Sequence, residues 1–276
     1  MRRLTATVRA RPELDERDIA RMYELYAHYY DGTSHALFRS DLGDKPVVIE
    51  LRDGEALRGF STLAWFDFEV DAEARRAIFS GDTIIDHRYW GEQTLLEAFC
   101  RFAGRLSAEA PGRPLDWFLI SKGHRTFRYL SVFAHRYFPH PHIPTPPGVQ
   151  ARIDCLARMR FGAAYLPGRG VIRFSEAHGH LKPKWAGIRE GLRGRAEVDF
   201  FLERNPGYRD GDELACLTQL IPDNLRSFAR RAFLEGLNDV NGDALSPDRG
   251  RGSALQAVAG SRPLAPAATA AVDTRA

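Results

Sequence analysis

Apolar residues recur along this chain at every third and fourth position in some stretches and at every second in others, and the switches between the two periods predict most of its elements. The stretch "LTATVRA", Leu4 to Ala10, alternates weakly and predicts a first strand. Pro12 and Asp15 then announce a helix whose apolar face is Ile19, Met22, Leu25, Tyr26 and Tyr29, with Gly32 closing it. "PVVIELRDGEALRGFSTLAWFDFEV" follows, two β-rich runs around Asp53-Gly54, the strongest hairpin signal in the sequence. After a polar turn at Asp71 to Ala74, "RRAIFSGDTIID" supplies a third run, so Pro46 to Asp86 is expected to form a three-stranded antiparallel meander.

Helical spacing returns after Gly91, where Leu95, Leu96, Phe99, Phe102, Ala103 and Leu106 share a face that should pack on the sheet. "PGRP" is a loop, "LDWFLI" (Leu115 to Ile120) a short buried strand, and Ser121-Lys122-Gly123 a turn into a helix expected from about His124 to Phe138. "PHPHIPTPP", Pro139 to Pro147, excludes a regular helix or a central strand and marks a boundary. Val149 to Arg160 is again helical, and Gly162 to Lys184 irregular apart from "GVIRF". "VDFFL" (Val198 to Leu202) and "ELACLTQL" (Glu213 to Leu220), with Asn205-Pro206-Gly207 between them, predict a second hairpin-like pair. Asp223 or Asn224 is expected to cap a last helix carrying Leu225, Phe228, Ala232 and Leu237.

Composition narrows the class. At 276 residues the chain suits one catalytic-sized domain, and 44% hydrophobic residues with no apolar run near 18 residues argue against a membrane span. The basic N-terminus has no apolar stretch behind it, so a secretory signal is not expected. Cys100, Cys155 and Cys216 are widely spaced, which fits neither a disulfide framework nor a zinc site and suggests a cytoplasmic protein. A net charge of +3, with basic and acidic residues interspersed, gives nucleic acid no stripe to bind. Residues 238–276 are rich in Ala, Pro, Gly and Arg and read as a disordered tail.

The order strand, helix, meander, helix, strand, helix and final strand pair resembles the GNAT acyltransferase superfamily, from about Thr5 to Tyr137 and again from Val198 to Leu220. The resemblance implies an α/β (α+β) fold over residues 1–237, with a mixed, mostly antiparallel sheet flanked by helices and a helical insertion at 138–197. It also implies a thioester donor, acyl-CoA or acyl-pantetheine on an acyl-carrier protein, lying where the sheet splays beside Ile78 to Asp86, near Ile84 and Ile85. The donor's diphosphate would sit at the start of the next helix, at Arg88, Trp90, Gly91, Glu92, Gln93 and Thr94, where free N–H groups and the helix dipole favour an anion. The superfamily pattern there is Gln or Arg, two residues, Gly, one residue, then Gly or Ala. Arg88 and Gly91 match, and Gln93 stands where the final small residue belongs.

Making an amide from a thioester needs a base for the incoming ammonium, donors for the oxyanion and an acid for the thiolate. Strict alternation puts Ile78, Ser80, Asp82, Ile84 and Asp86 on one strand face, making Asp82 and Asp86 candidate bases; both also suit bonds to loop backbone or to Arg88. Tyr129, seven residues after Lys122, resembles the superfamily's general-acid tyrosine, although it also falls beside an apolar face. In "SKGHR", Lys122, His124 and Arg125 surround a glycine at a helix start and suit an anion, with His124 a further candidate base. The remaining histidines lack metal-ligand spacing, and Cys216 reads as a buried small hydrophobe. "HYYDGTSHALF" is expected to border the acceptor or acyl groove. Three functions follow: acyl transfer to a small-molecule amine or alcohol, non-catalytic binding of a carrier protein or metabolite, and thioester hydrolysis.

Overall fold

The computed structural model describes residues 4–242. Its strands and helices, in chain order, are β1 (Thr5–Ala10), α1 (Glu16–Tyr29), β2 (Tyr30–Asp31), α2 (His35–Gly43), β3 (Val47–Asp53), β4 (Ala56–Val70) and β5 (Glu73–Ile85). These are followed by α3 (Thr94–Ala108), β6 (Leu115–Ser121), α4 (His124–Phe133), α5 (Pro147–Phe161), β7 (Tyr165–Leu166), β8 (Val171–Ile172) and β9 (His180–Leu181). The last are α6 (Pro183–Ala186), α7 (Ala196–Arg204), β10 (Glu213–Gln219) and α8 (Ser227–Gly242).

One eight-stranded sheet runs β1-β3-β4-β5-β6-β10-β8-β7, and β2 pairs separately with β9. Its neighbours are antiparallel except β5 and β6, which are parallel. The meander is built as its turns dictate: Gly54 at φ 58° closes β3–β4, and Asp71 and Ala72, both at positive φ, close β4–β5. The fold is α/β (α+β), with a mixed, mostly antiparallel sheet flanked on both faces by helices.

Side-chain alternation sends Ile49, Leu63, Ile78, Trp117 and Cys216 to one face, where they meet α3, α4, α7 and α8. The other face splits between a cluster under α5, around Phe79, Phe118 and Leu156, and one under α1 and α2, around Met22, Phe38 and Phe60. α3 and α8 cross so closely that a Cβ on Gly104 would lie 2.1 Å from the Phe233 carbonyl oxygen, and one on Gly236 2.0 Å from that of Arg101. Only glycine permits that approach.

Several elements depart from the sequence expectation. "VDFFL" is not a strand but the middle of α7, since Val198 and Phe201 are buried one helical turn apart, and β10 pairs instead with β6 and β8. α1 ends at Tyr29, short of Gly32, because Tyr30 and Asp31 leave to pair with β9. α4 stops at Phe133: Ala134 bridges Leu225 and Phe138 bridges Leu217, so tertiary pairing takes the last residues of the expected helix. Asn224 does not cap α8; its buried side chain bonds Arg136, Thr218 and Gln219, and the helix starts at Ser227. α8 then continues through Gly242, past the expected end at 237, and the rest of the 238–276 tail lies outside the described residues. α2, unforeseen, is capped by Ser34, whose Oγ accepts from the Leu37 N–H at 3.1 Å.

Candidate active site

β5 and β6 run side by side only from Arg76 opposite Leu115 to Ser80 opposite Leu119. On the other side of β5, Leu63 faces Ser80 while Ser61 faces Thr83, so Gly81 and Asp82 together oppose the single residue Thr62. That extra residue is a β-bulge, which bends the strand away and turns the following side chains over. Ile78 and Ser80 therefore face α3, whereas Ile84 packs with Phe60 under α1. The single face expected for Ile78 to Asp86 is thereby broken. β6 meanwhile stays with β10 up to Ser121 opposite Leu214, and the sheet forks. Gly81 is required at the bend: a Cβ there would lie 2.7 Å from Thr62 Oγ1 and 2.8 Å from Lys45 Cε.

Two cavities fill the fork. The first, about 260 Å³, is an apolar slot between Leu95, Leu96 and Phe99 of α3, Trp117 and Leu119 of β6, and Tyr129 of α4. Ile84, Ile85, Trp90 and Gly91 also line it. Across its mouth lie Trp90 and Trp185, ring centroids 5.7 Å apart, with the Arg125 guanidinium 4.7 Å over the Trp90 ring and donating to the Trp185 carbonyl at 2.6 Å. Trp185 is held by its own indole N–H, which donates to the His28 carbonyl at 3.3 Å, and lies just after Lys182, whose ammonium donates to the Ala27 carbonyl at 2.6 Å.

The second cavity, about 80 Å³, is lined by charge: Asp41 and Lys45 at the end of α2, Asp82, Lys122, Arg160 and Glu213, with His178 beside them. Lys122 Nζ is 3.3 Å from Glu213 Oε1 and donates to the His178 carbonyl at 2.9 Å; His178 Nε2 lies 3.2 Å from Asp41 Oδ2. No hydrogen bond reaches the Asp82 carboxylate from the described residues. Burial pushes Asp82 and Glu213 above the usual carboxylate range, and Lys122 draws both partly back. Burial and the Arg160 charge lower Lys45. The two cavities share Tyr30, Gly81, Thr83, Ile120 and Thr126, so they meet at the fork.

The residues singled out in the sequence scatter around this arrangement. Tyr129 lines the slot, its phenol raised by burial, and Asp82 lines the polar cavity. Asp86 is turned away, ion-paired with Arg88 and Arg58, and the Arg88 hydrogen bonds hold it below the usual range. His124 is buried, lines neither cavity and has an unbonded Nε2; burial, with Arg125 and Arg128 nearby, lowers it to about 4. At the start of α3, Gln93 makes no capping bond, and Glu92 accepts from the Leu4 N–H and the Thr94 hydroxyl, both at 3.4 Å. An acid therefore stands where an anion was expected. Cys216 is buried against its own strand, its thiol raised by burial.

Glu213, Asp41, Lys45 and Arg160 were not singled out, and His178 was considered only as one of the histidines without metal-ligand spacing. Glu213 had a visible cue, an acid opening an apolar strand, which is costly to bury without a partner. The others come from α2, α5 and an irregular segment, which only the fold brings together. Among the described residues no group of three or more His, Cys, Asp or Glu is placed to hold a metal ion, and no helix is long and apolar enough to cross a membrane.

No family model matches the chain, and no curated protein matches it in sequence. Among solved structures it is similar to a conserved Enterococcus faecalis protein of unknown function, a probable N-acyltransferase, at 12% identity and TM-score 0.35 over 47% of this chain and 33% of that one. Against that protein the chain thus spans about a third of the length. It is also similar to Arabidopsis thaliana NAA60 in complex with a bisubstrate analogue, at 13% identity and TM-score 0.35 over 48% of this chain and 87% of that one. A mutant AtaT toxin bound to the C-terminus of the antitoxin AtaR and acetyl-CoA gives 21% identity and TM-score 0.32 over 47% and 83%.

Proposed function

We propose that the protein transfers an acyl group from a thioester donor to a small-molecule amine, with the donor arm in the apolar slot and the acceptor in the charged cavity. The observation that carries this reading is that the two cavities meet at the bulge of β5, beside a carboxylate, Asp82, that no hydrogen bond engages. A thioester carbonyl held at the fork has an apolar chain behind it and a base in front of it. Backbone polar groups freed from the ladder by the bulge are the donors for its oxygen.

In this reading Asp82 takes one proton from the acceptor's ammonium, and the freed amine attacks the carbonyl carbon. The C–N bond forms in that attack, and the C–S bond breaks as the tetrahedral intermediate collapses. Tyr129, kept protonated by burial, gives its proton to the departing thiolate and is restored by the second proton of the amine nitrogen. Asp82 passes its proton to solvent, and the products are amide and free thiol. A carboxyl raised above the usual carboxylate range is better matched to an ammonium than an ordinary one. Glu92 at the α3 N-terminus favours pantetheine presented by an acyl-carrier protein over pantetheine joined to a nucleotide.

The test is a thiol-release assay with acyl-CoAs and acyl-carrier protein, with and without amine acceptors, alongside thermal shift for donor binding. Saturable, acceptor-dependent thiol release is expected. Release without any acceptor would make the protein a hydrolase, and tight donor binding without turnover would make it a binding protein.

A further inference from the structure

The charged cavity sets Asp41, Asp82 and Glu213 among Lys45, Lys122 and Arg160, and most of these charges already have close partners. Lys122 is committed to Glu213 and the His178 carbonyl, and Asp41 to His178. That leaves Lys45 and Arg160 on one wall, both over the ring of Phe79, at 5.6 and 5.3 Å from its centroid. Among the described residues the Lys45 ammonium bonds only the Asp41 carbonyl, at 2.9 Å, and Arg160 pairs only with Asp44, at 3.5 Å, whose own side chain is half exposed. Two cations gathered at one aromatic ring, one 5% and the other 9% exposed, repel each other at a place where water screens them little. Asp82 likewise raises the affinity of Glu213 for protons across the cavity.

From this grouping we infer that the acceptor is a compact amino acid, its carboxylate held by Lys45 and Arg160 and its ammonium directed to Asp82. The inference rests on the acyl-transfer reading for the direction of the amine, and adds the substrate class. A zwitterion offers a carboxylate to the two cations and an ammonium to Asp82 at once, whereas a plain amine brings the cations no anion and a plain carboxylate brings Asp82 no hydrogen-bond donor. Arginine suits a carboxylate through its planar fork, and lysine supplies a point charge beside it. The cavity of about 80 Å³ restricts the side chain to a small one.

The probes are glycine, L-alanine and β-alanine against ethylamine, ethanolamine and propionate, titrated into the full chain by calorimetry. An amino acid is expected to bind about 10- to 100-fold more tightly than ethylamine. Arg160→Met and Lys45→Met are expected to remove that preference, and Arg160→Lys to retain part of it. Equal binding of ethylamine and alanine, or binding by none of the amino acids, overturns the inference, and that comparison on the unaltered chain needs no variant to fold. The two readings fail separately. Thiol release with ethylamine but not with alanine would leave acyl transfer standing and remove the amino acid. Alanine binding lost in Arg160→Met, without thiol release from any donor, would do the reverse.

Discussion

Asp116 on β6 and Asp82 on the adjoining strand β5 belong to the same sheet, yet their carboxylates meet opposite surroundings. Asp116, fully buried, accepts from Arg75 Nε at 2.8 Å, Arg75 Nη2 at 3.2 Å and Arg152 Nη1 at 2.7 Å, and Arg75 is held in turn by Glu73 at 2.7 Å. Arg152 comes from α5, so this cluster pins that helix to the sheet. Asp82 stands beside a cavity, close to Lys122 and Lys45, and bonds to neither. A buried carboxylate whose oxygens are occupied has nothing left to offer a substrate. One that is desolvated and unbonded is held in readiness at a cost in stability, which is the usual signature of a site.

The sharpest break of this contrast is thermal. Asp116→Ala leaves Arg75 and Arg152 buried without their partner and should cost about 3–5 kcal/mol, lowering the melting temperature by on the order of 10 °C. Asp82→Asn should leave the melting temperature unchanged or raise it. Similar losses from the two substitutions would show that Asp82 is structural too.

Next in size is the effect on chemistry. If Asp82 is the base, Asp82→Asn should slow acceptor-dependent thiol release about 100-fold or more while donor binding is retained. Full turnover in that variant would move the role to Glu213, the other raised carboxyl of the cavity.

The outer architecture was legible in the sequence, and the site only in part. The meander, α3 and β6 follow from period and turn chemistry, because Asp53-Gly54 and the apolar face of α3 each carry their own local signal. "VDFFL" misled because β-prone aromatic residues outweighed a helical spacing only nine residues long in the structure. The bulge at Gly81-Asp82 was invisible because one inserted residue depends on the partner strand, and with it went the true facing of Asp82 relative to Ser80. Lys45 and Arg160 are separated by more than a hundred residues and meet only over Phe79. Pairwise convergence of that kind leaves no local pattern.

A smaller effect is the pH dependence that Asp82 contributes. Asp82 is raised in the folded state, so between its unfolded and folded values the native protein binds more protons than the unfolded chain, and stability falls as pH rises through that window. Asp82→Asn should flatten this fall in pH-dependent melts. Activity should move the other way, rising with pH as Asp82 ionises, with a limb displaced above the ordinary aspartate value of about 3.9. An acid limb in the ordinary range would assign the titration to another group.

The mildest test concerns charge that is not buried. Glu92 places a carboxylate at the α3 N-terminus, where it accepts from the Leu4 N–H and the Thr94 hydroxyl, while Gln93 next to it makes no capping bond through its side chain. An anion already at a helix N-terminus satisfies part of its positive end and repels a second anion. Glu92→Gln keeps the shape and removes the charge, so CoA should bind a few-fold more tightly, in line with the 0.3–1 kcal/mol of such end effects. Binding of acyl-pantetheine without the nucleotide should be unchanged. If CoA gains nothing from Glu92→Gln but does gain from Gln93→Gly, the obstacle at this corner is the bulk of Gln93 and not the charge of its neighbour.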